Sequence, residues 1–151
     1  MKVGVISDTH GLMRPQALAA LRGSELILHA GDIGAPEILD ALRTLAPVKA
    51  IRGNNDSDAW AKAIPEILDL DLENLRIHML HNVKEISAKL AADADVVIAG
   101  HSHRPVAERR EGVLFLNPGS AGPRRFKLPI SVATLTIRGA NVRARIIELD
   151  I

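Results

Sequence analysis

Five short polar segments in this chain carry side chains that could do chemistry: Asp8-Thr9-His10-Gly11, Gly31-Asp32, Gly53-Asn54-Asn55-Asp56, His81-Asn82 and Gly100-His101-Ser102-His103. Each follows an apolar run. Together they supply Asp8, His10, Asp32, Asn54, His81, His101 and His103, and so four of the six histidines in the chain. Imidazole, carboxylate and amide oxygen without sulfur suit Mn²⁺, Fe or Zn²⁺ rather than Cu(I) or an iron–sulfur cluster. Seven ligands are too many for one ion, but they suit two if one carboxylate bridges them. Two ions held about 3.5–4 Å apart can clamp both the attacking and the leaving oxygen of a phosphate.

Taken singly, each segment has a plainer reading. Asp8-Thr9-His10 resembles a turn that caps the next helix. Gly31-Asp32 and Gly53-Asn54-Asn55-Asp56 carry ordinary turn residues. His81 alone reads as a satisfied core histidine. Only Gly100-His101-Ser102-His103, two histidines at i and i+2 on a loop, stands evenly between turn and metal site. The combination is what counts, because five independent turns have no packing reason to place Asp, Asn or His at the same kind of position.

The elements that would position these residues follow from the apolar periodicity. Lys2–Ser7, Leu26–His29 and Val48–Ile51 read as buried strands, and Pro15–Leu21 and Pro36–Leu45 as helices between them. Proline at the first helical position suits both. This βαβαβ opening predicts parallel strands with helical crossovers. Ile67–Leu72 and Leu75–Leu80 read as a hairpin around Glu73-Asn74. Lys84–Ala92 reads as a third helix and Val96–Ala99 as a short buried strand. From Val106 the pattern turns antiparallel, with strands at Val113–Leu116, Ser131–Ile137 and Val142–Leu149. About ten strands and three helices are too much sheet for one doubly wound layer. Two packed sheets with helices outside fit better. All five polar segments then fall where strands end, the edge at which ligands bind in α/β sheets.

Bulk composition narrows the classes. The 151 residues suit a single domain spanning 1–151. Aromatics are only 2% of a chain that is 47% hydrophobic, so the core must be aliphatic and there is no platform for stacking bases. Net charge is +1, from 19 basic and 18 acidic residues, without the basic excess of a nucleic-acid protein. The absence of cysteine excludes disulfides and thiolate chemistry. The apolar start, Met1–Ser7, is far too short for a signal peptide or a membrane span, so a cytoplasmic location and no membrane partner are expected. No phosphate-binding glycine loop, dinucleotide fingerprint or serine elbow is present.

Ser7-Asp8-Thr9-His10-Gly11, Gly31-Asp32, Gly53-Asn54-Asn55-Asp56, His81 and Gly100-His101-Ser102-His103, in that order, resemble the calcineurin-like metallophosphoesterases. The small size and Asn117-Pro118-Gly119-Ser120 resemble the compact YfcE-type phosphodiesterase subgroup. The resemblance implies a four-layer αββα sandwich, two mainly mixed sheets flanked by helices, with a dinuclear site at the C-terminal strand edge. It implies that Asp8, His10 and His103 hold one ion, that Asn54, His81 and His101 hold the other, and that Asp32 bridges them. The ions would be Mn²⁺ first, with Fe, Zn²⁺ or Ni²⁺ as alternatives.

The implied reaction is hydrolysis of a small phosphoester, most naturally a diester, by a hydroxide bridging the two ions. Asn55 would help neutralise charge on the phosphoryl oxygens. Many larger relatives have His at that position, and Asn cannot act as an acid near neutral pH. Asp56 and His29 are candidates to hydrogen-bond a ligand and orient it, with a buried structural histidine as the equal reading of His29. His78 precedes His81 by three and points to the other face of its strand. Arg104, Arg124 and Arg125 read as surface charge. Competing functions are a protein-interaction scaffold on the same fold, which predicts missing ligands, and a nuclease or nucleotidase acting on small nucleotides. A homo-oligomer is allowed; long nucleic acid is not expected.

Overall fold

The computed structural model describes residues 1–151. Ten strands and three α-helices follow in chain order: β1 (Lys2–Ile6), α1 (Pro15–Leu21), β2 (Leu26–His29), α2 (Pro36–Arg43), β3 (Val48–Ala50), β4 (Ile67–Leu72), β5 (Leu75–Leu80), α3 (Ala88–Asp93), β6 (Val96–Ile98), β7 (Val106–Arg110), β8 (Val113–Asn117), β9 (Ser131–Arg138) and β10 (Asn141–Glu148). They form two five-stranded sheets, ordered β10-β9-β1-β2-β3 and β4-β5-β6-β8-β7. Both sheets are mixed. β1, β2 and β3 run parallel and β9 joins antiparallel to β1; in the second sheet β5, β6 and β8 are parallel and both edge strands are antiparallel.

Side chains alternate across each strand, and that period divides the core into layers. Val3 and Val5 of β1 face Ile77 and Met79 of β5 and Val96 and Ile98 of β6 in a buried cluster of 17 residues between the sheets. Ile6 and Ile27 point the other way and meet Leu21 of α1 and Ile38 and Leu42 of α2. Leu80 and Val97 face outward from the second sheet beside Val83 and Ile86. The sequence expectation of an aliphatic core holds: no aromatic residue is fully buried, and Phe126 is 89% exposed.

The third helix departs from its expected span, Lys84–Ala92. Val83–Glu85 is a single 3₁₀ turn, Ile86 is extended, and α3 starts only after Ser87. The Ser87 hydroxyl accepts from the Leu90 amide and caps the helix there. The second helix stops at Arg43, two residues before the expected Leu45.

Parallel strands place their exits on one edge. Asp8 and His10 leave β1, Asp32 leaves β2, Asn54 follows β3, His81 follows β5, and His101 and His103 follow β6. The first sheet therefore provides four of the seven candidate ligands and the second sheet the other three.

Candidate metal centre

Asp8 sits at the middle of the cluster, fully buried. Its two oxygens have different partners. Oδ2 accepts from the Ser7 hydroxyl at 2.7 Å and from the His101 amide at 3.1 Å. Oδ1 has no hydrogen-bond partner. It lies 3.4 Å from His103 Nε2 and 3.8 Å from both His10 Nε2 and His81 Nε2. Asp32 Oδ2 lies 3.2 Å from His81 Nε2 and 3.8 Å from His10 Nε2. Two sets have ligand atoms within 4.8 Å of one another: Asp8, His10 and His103, and Asp8, Asp32 and His81.

The remaining expected ligands lie at the rim. The His101 ring meets the His81 ring edge-on, with centroids 5.2 Å apart, and the His10 and His103 rings are 5.5 Å apart. Asn54 lines the same cleft as His81 and His101. All seven expected residues are thus neighbours at one edge, with His101 and Asn54 exposed and the others buried or half-buried.

The donor chemistry fits cations. His10 Nε2, His81 Nε2, both His103 nitrogens and Asp8 Oδ1 are buried with no hydrogen-bond partner. Leaving such atoms unmatched costs free energy, of order 1–3 kcal/mol each. For His81 the available atom is fixed, since Nδ1 donates to the Ala30 carbonyl at 2.7 Å. Nε2 then faces Asp32 and Asp8, the arrangement of a metal-binding imidazole held by a backbone carbonyl.

Electrostatics point the same way. Burial alone would push the Asp8 carboxyl up, but His103, His81 and the Ser7 hydroxyl outweigh it and hold the group below its usual range. Burial likewise opposes the shift of Asp32, yet His81, the Asn55 amide and His10 bring it down to about 2. His81 moves up despite burial, because the Asp32 carboxylate, the Ala30 carbonyl and Asp8 favour its charged form. Both carboxylates are thus ready to face positive charge.

Backbone strain marks the same residues. Asp8, His10, Asp32, His101 and His103 have φ between 47° and 71°, in the left-handed region that side-chain-bearing residues seldom occupy. Such outliers concentrate at functional sites. Close approach also needs missing side chains. A Cβ on Gly53 would run into the Asp32 carboxylate, and one on Gly100 into Ser7 Oγ and Asp8 Oδ2.

Asp56 and His29 stand one step further back. Asp56 bonds no ligand side chain; it accepts from the Ile33, Gly34 and Gly53 amides at 2.9–3.0 Å, tying the loop after β2 to the loop after β3. His29 is fully buried, and Nδ1 accepts from the Gly31 amide at 3.1 Å. Nε2 therefore carries the proton and donates to Thr9 Oγ1 at 3.0 Å, and that hydroxyl donates to the Ile33 carbonyl at 2.8 Å. Burial pushes the imidazole down to about 4, keeping it neutral. His78 faces away from the centre and pairs with Asp69 across the β4–β5 hairpin at 2.7 Å. Arg104, Arg124 and Arg125 are exposed.

Asn117 and Ser120 carry no signal of a role in their residue types, yet both tie the ligand loops together. Asn117 Nδ2 donates to the Gly100 carbonyl at 2.9 Å and to Ser102 Oγ at 3.1 Å, while its Oδ1 accepts from the Gly119 amide at 2.9 Å. Ser120 Oγ donates to the Asp8 carbonyl at 3.0 Å. One short segment, from Asn117 at the end of β8 to Ser120, therefore supports ligand loops from both sheets. The available signal was position, since Asn117-Pro118-Gly119-Ser120 follows a strand leaving by the same edge.

The family model for the calcineurin-like phosphoesterase superfamily domain matches residues 1–140. A probable metallophosphoesterase of Methanothermobacter thermautotrophicus is 39% identical, over 98% of this chain and 92% of its own length. Phosphodiesterase YfcE of Escherichia coli K12 is 27% identical, over 89% of this chain and 87% of its own. Among solved structures, Vps29 of Entamoeba histolytica complexed with Zn²⁺ superposes with a TM-score of 0.77 at 26% identity, covering 99% of this chain and all of that one. The two mixed sheets and the flanking helices agree with these likenesses, and the chain belongs to the calcineurin-like phosphoesterase superfamily, as a metallophosphoesterase with YfcE-type phosphodiesterases among its relatives.

Proposed function

We propose that this protein is a two-metal phosphodiesterase that hydrolyses a small phosphoester. The observation that carries the reading is that the partnerless buried atoms Asp8 Oδ1, His10 Nε2, His81 Nε2 and His103 Nε2 belong to two close sets of residues that share Asp8. Asp8, His10 and His103 would hold the first ion and Asn54, His81 and His101 the second, with Asp32 between them. Asp8 Oδ1 also belongs to both close sets, so it adds negative charge to either position. Mn²⁺ is the proposed ion, and the proposed setting is the cytoplasm. No helix is long and apolar enough to cross a membrane.

When bound, the two ions supply an activated water and draw charge off the phosphoryl oxygens. The chain's own residues supply geometry. His81 presents Nε2 because Ala30 holds its other nitrogen. Asp8 presents Oδ1 because Ser7 and His101 occupy Oδ2. Asn55 Nδ2 gives one hydrogen to Asp32 Oδ2 at 3.1 Å, and its second hydrogen is free to meet a phosphoryl oxygen. No acid stands at position 55, so good leaving groups are expected to be favoured over alkoxides.

The test is hydrolysis of bis-p-nitrophenyl phosphate and p-nitrophenyl phosphate by metal-stripped protein, then with Mn²⁺ restored. Mn²⁺-dependent turnover of the diester, abolished in Asp32→Ala, is the expected result. Folded protein that binds two ions yet turns over neither ester would favour the scaffold reading. A nucleotidase would share the centre and differ in preferring nucleotide esters.

A further inference from the structure

Charge is segregated along this chain. Residues 112–147 hold six of the 19 basic residues and none of the 18 acidic ones, so the remainder, with 13 and 18, is net negative. Two of the six, Arg138 and Arg143, line a cleft of about 1200 Å³ together with Arg109 of β7. The lining includes no carboxylate.

Strand register fixes how the three arginines meet. Across the β9–β10 hairpin Thr136 pairs with Arg143, and Arg138 with Asn141. Directly opposed residues share a face, and so do residues two apart. These four therefore stand on one face, while Leu135, Ile137 and Val142 turn into the core. Arg138 and Arg143 are diagonal neighbours, about 7–8 Å apart at their Cα atoms. Arg109 comes from the other sheet. Its Nη2 donates to the Val142 carbonyl at 2.9 Å, which sets a third guanidinium on the backbone next to Arg143.

None of the three enters an ion pair, whereas Arg43, Arg52, Arg76 and Arg110 each pair with a carboxylate at 3.1–3.6 Å. Glu73 reaches the hairpin tip, but its Oε2 accepts from the Gly139 amide at 2.6 Å and pairs with no arginine of the cleft. Like charges gathered this way repel one another, and the fold gives them no counter-charge. The cleft also lies away from the metal centre. Thr136 pairs with Lys2 at the start of β1, whereas Asp8 and His10 leave the far end of that strand. The strand from Lys2 to Ile6 alone spans about 13 Å.

We propose that this cleft is a second anion site, separate from the metal centre, and that it binds a small molecule carrying linked phosphates. Guanidinium is planar, and its N–H groups fork onto two oxygens at once, the geometry a phosphate offers. Three such forks around one cleft match a ligand whose negative charges are themselves adjacent, as in a diphosphate or triphosphate. Thr136 and Asn141 in the same lining add neutral hydrogen-bond donors. The site goes beyond the phosphoesterase reading and does not rest on it.

The test uses metal-stripped protein freed of chelator, so that no ion at the metal centre captures phosphate. Calorimetric titrations at low salt compare tripolyphosphate, pyrophosphate, orthophosphate and citrate. Tripolyphosphate should bind tightest and pyrophosphate next, with orthophosphate and citrate weaker than tripolyphosphate by about tenfold or more. The double variant Arg138→Gln/Arg143→Gln should lose at least about tenfold in tripolyphosphate affinity. Arg124→Gln/Arg125→Gln removes the same charge outside the cleft and should leave that affinity nearly unchanged. In the wild type, amide NMR shifts on adding tripolyphosphate should centre on Arg138–Ala144 and spare Asp8–Gly11 and His101–His103. Equal losses in the two double variants, citrate binding as tightly as tripolyphosphate, shifts centred on the metal-centre loops, or no binding at all would each overturn the proposal. The shift map needs no variant, so a misfolded double variant does not shield the site from refutation. Because no metal is present, a failure to hydrolyse phosphodiesters leaves the site standing.

Discussion

Asn55 holds Asp32 twice: its backbone amide donates to Oδ1 at 3.0 Å and its side-chain amide donates to Oδ2 at 3.1 Å. The carboxylate expected to sit between two ions is thereby fixed at both oxygens before any ion arrives. Asn55→Ala removes one donor and keeps the other. Losing an outer partner of a ligand costs about 10–100-fold in metal affinity, and about tenfold is expected here. A chelator-competition titration reads it, and wild-type affinity in the variant would remove Asn55 from this role.

The same residue shapes the preference for leaving groups. With no acid at position 55, rate should depend steeply on how readily the alcohol departs as an anion. A series of aryl and alkyl phosphodiesters should give log kcat/KM that falls as the leaving-group pKa rises. Asn55→His, which introduces an acid, should flatten the slope. A flat wild-type series would sink the idea.

Asn117 offers a separable test of support from behind the centre. Asn117→Asp keeps the acceptor for the Gly119 amide and loses both donations to the His101–His103 loop. Ion affinity should fall by about 10–100-fold, while kcat at saturating ion changes much less. A change confined to thermal stability, with ion affinity intact, would reduce Asn117 to a structural residue.

His29 predicts a pH dependence of stability in the metal-free protein. Burial lowers its folded value from the ordinary 6.5 to about 4. As pH falls below 6.5 the unfolded chain takes up this proton first, so the stability is full above 6.5 and is lost on the way down to about 4. That shift corresponds to roughly 3 kcal/mol. His81 is shifted the other way and loses its contribution as pH rises, so the comparison must be with a variant. Urea unfolding of wild type and His29→Gln at pH 7.5 and 4.5, in chelator, should show the larger acid loss in wild type. Equal losses would assign the effect to other groups.

Much of this architecture was legible in the sequence because its signals are local. Proline at Pro15 and Pro36 and the apolar runs around them mark two helices within two residues. The third is shorter than its periodicity predicts because the Ser87 hydroxyl accepts from the Leu90 amide and starts the helix there. The seven ligand candidates were readable because each follows its strand directly, and the structure brings them to one edge. What supports them was harder to see. Asn117 reaches Gly100 across 17 positions, and Ser120 reaches Asp8 across 112. Asp56 is adjacent in sequence to candidate ligands yet binds three backbone amides, because its neighbours in space are the loop ends and not the ligand side chains.

The two sheets divide the chain unequally in time as well as space. The second sheet is contiguous, Ile67–Asn117, whereas the first combines β1, β2 and β3 with β9 and β10 from the far end, and β9 pairs with β1. On a ribosome, β1 emerges before the other strands and one of its edges stays open until Ser131–Arg138 has been synthesised. All seven candidate ligands are already out by then, the last being His103. The nascent chain thus carries all seven candidate ligands before its first sheet is closed, so the edge that gathers them is completed last by a strand that contributes none of them.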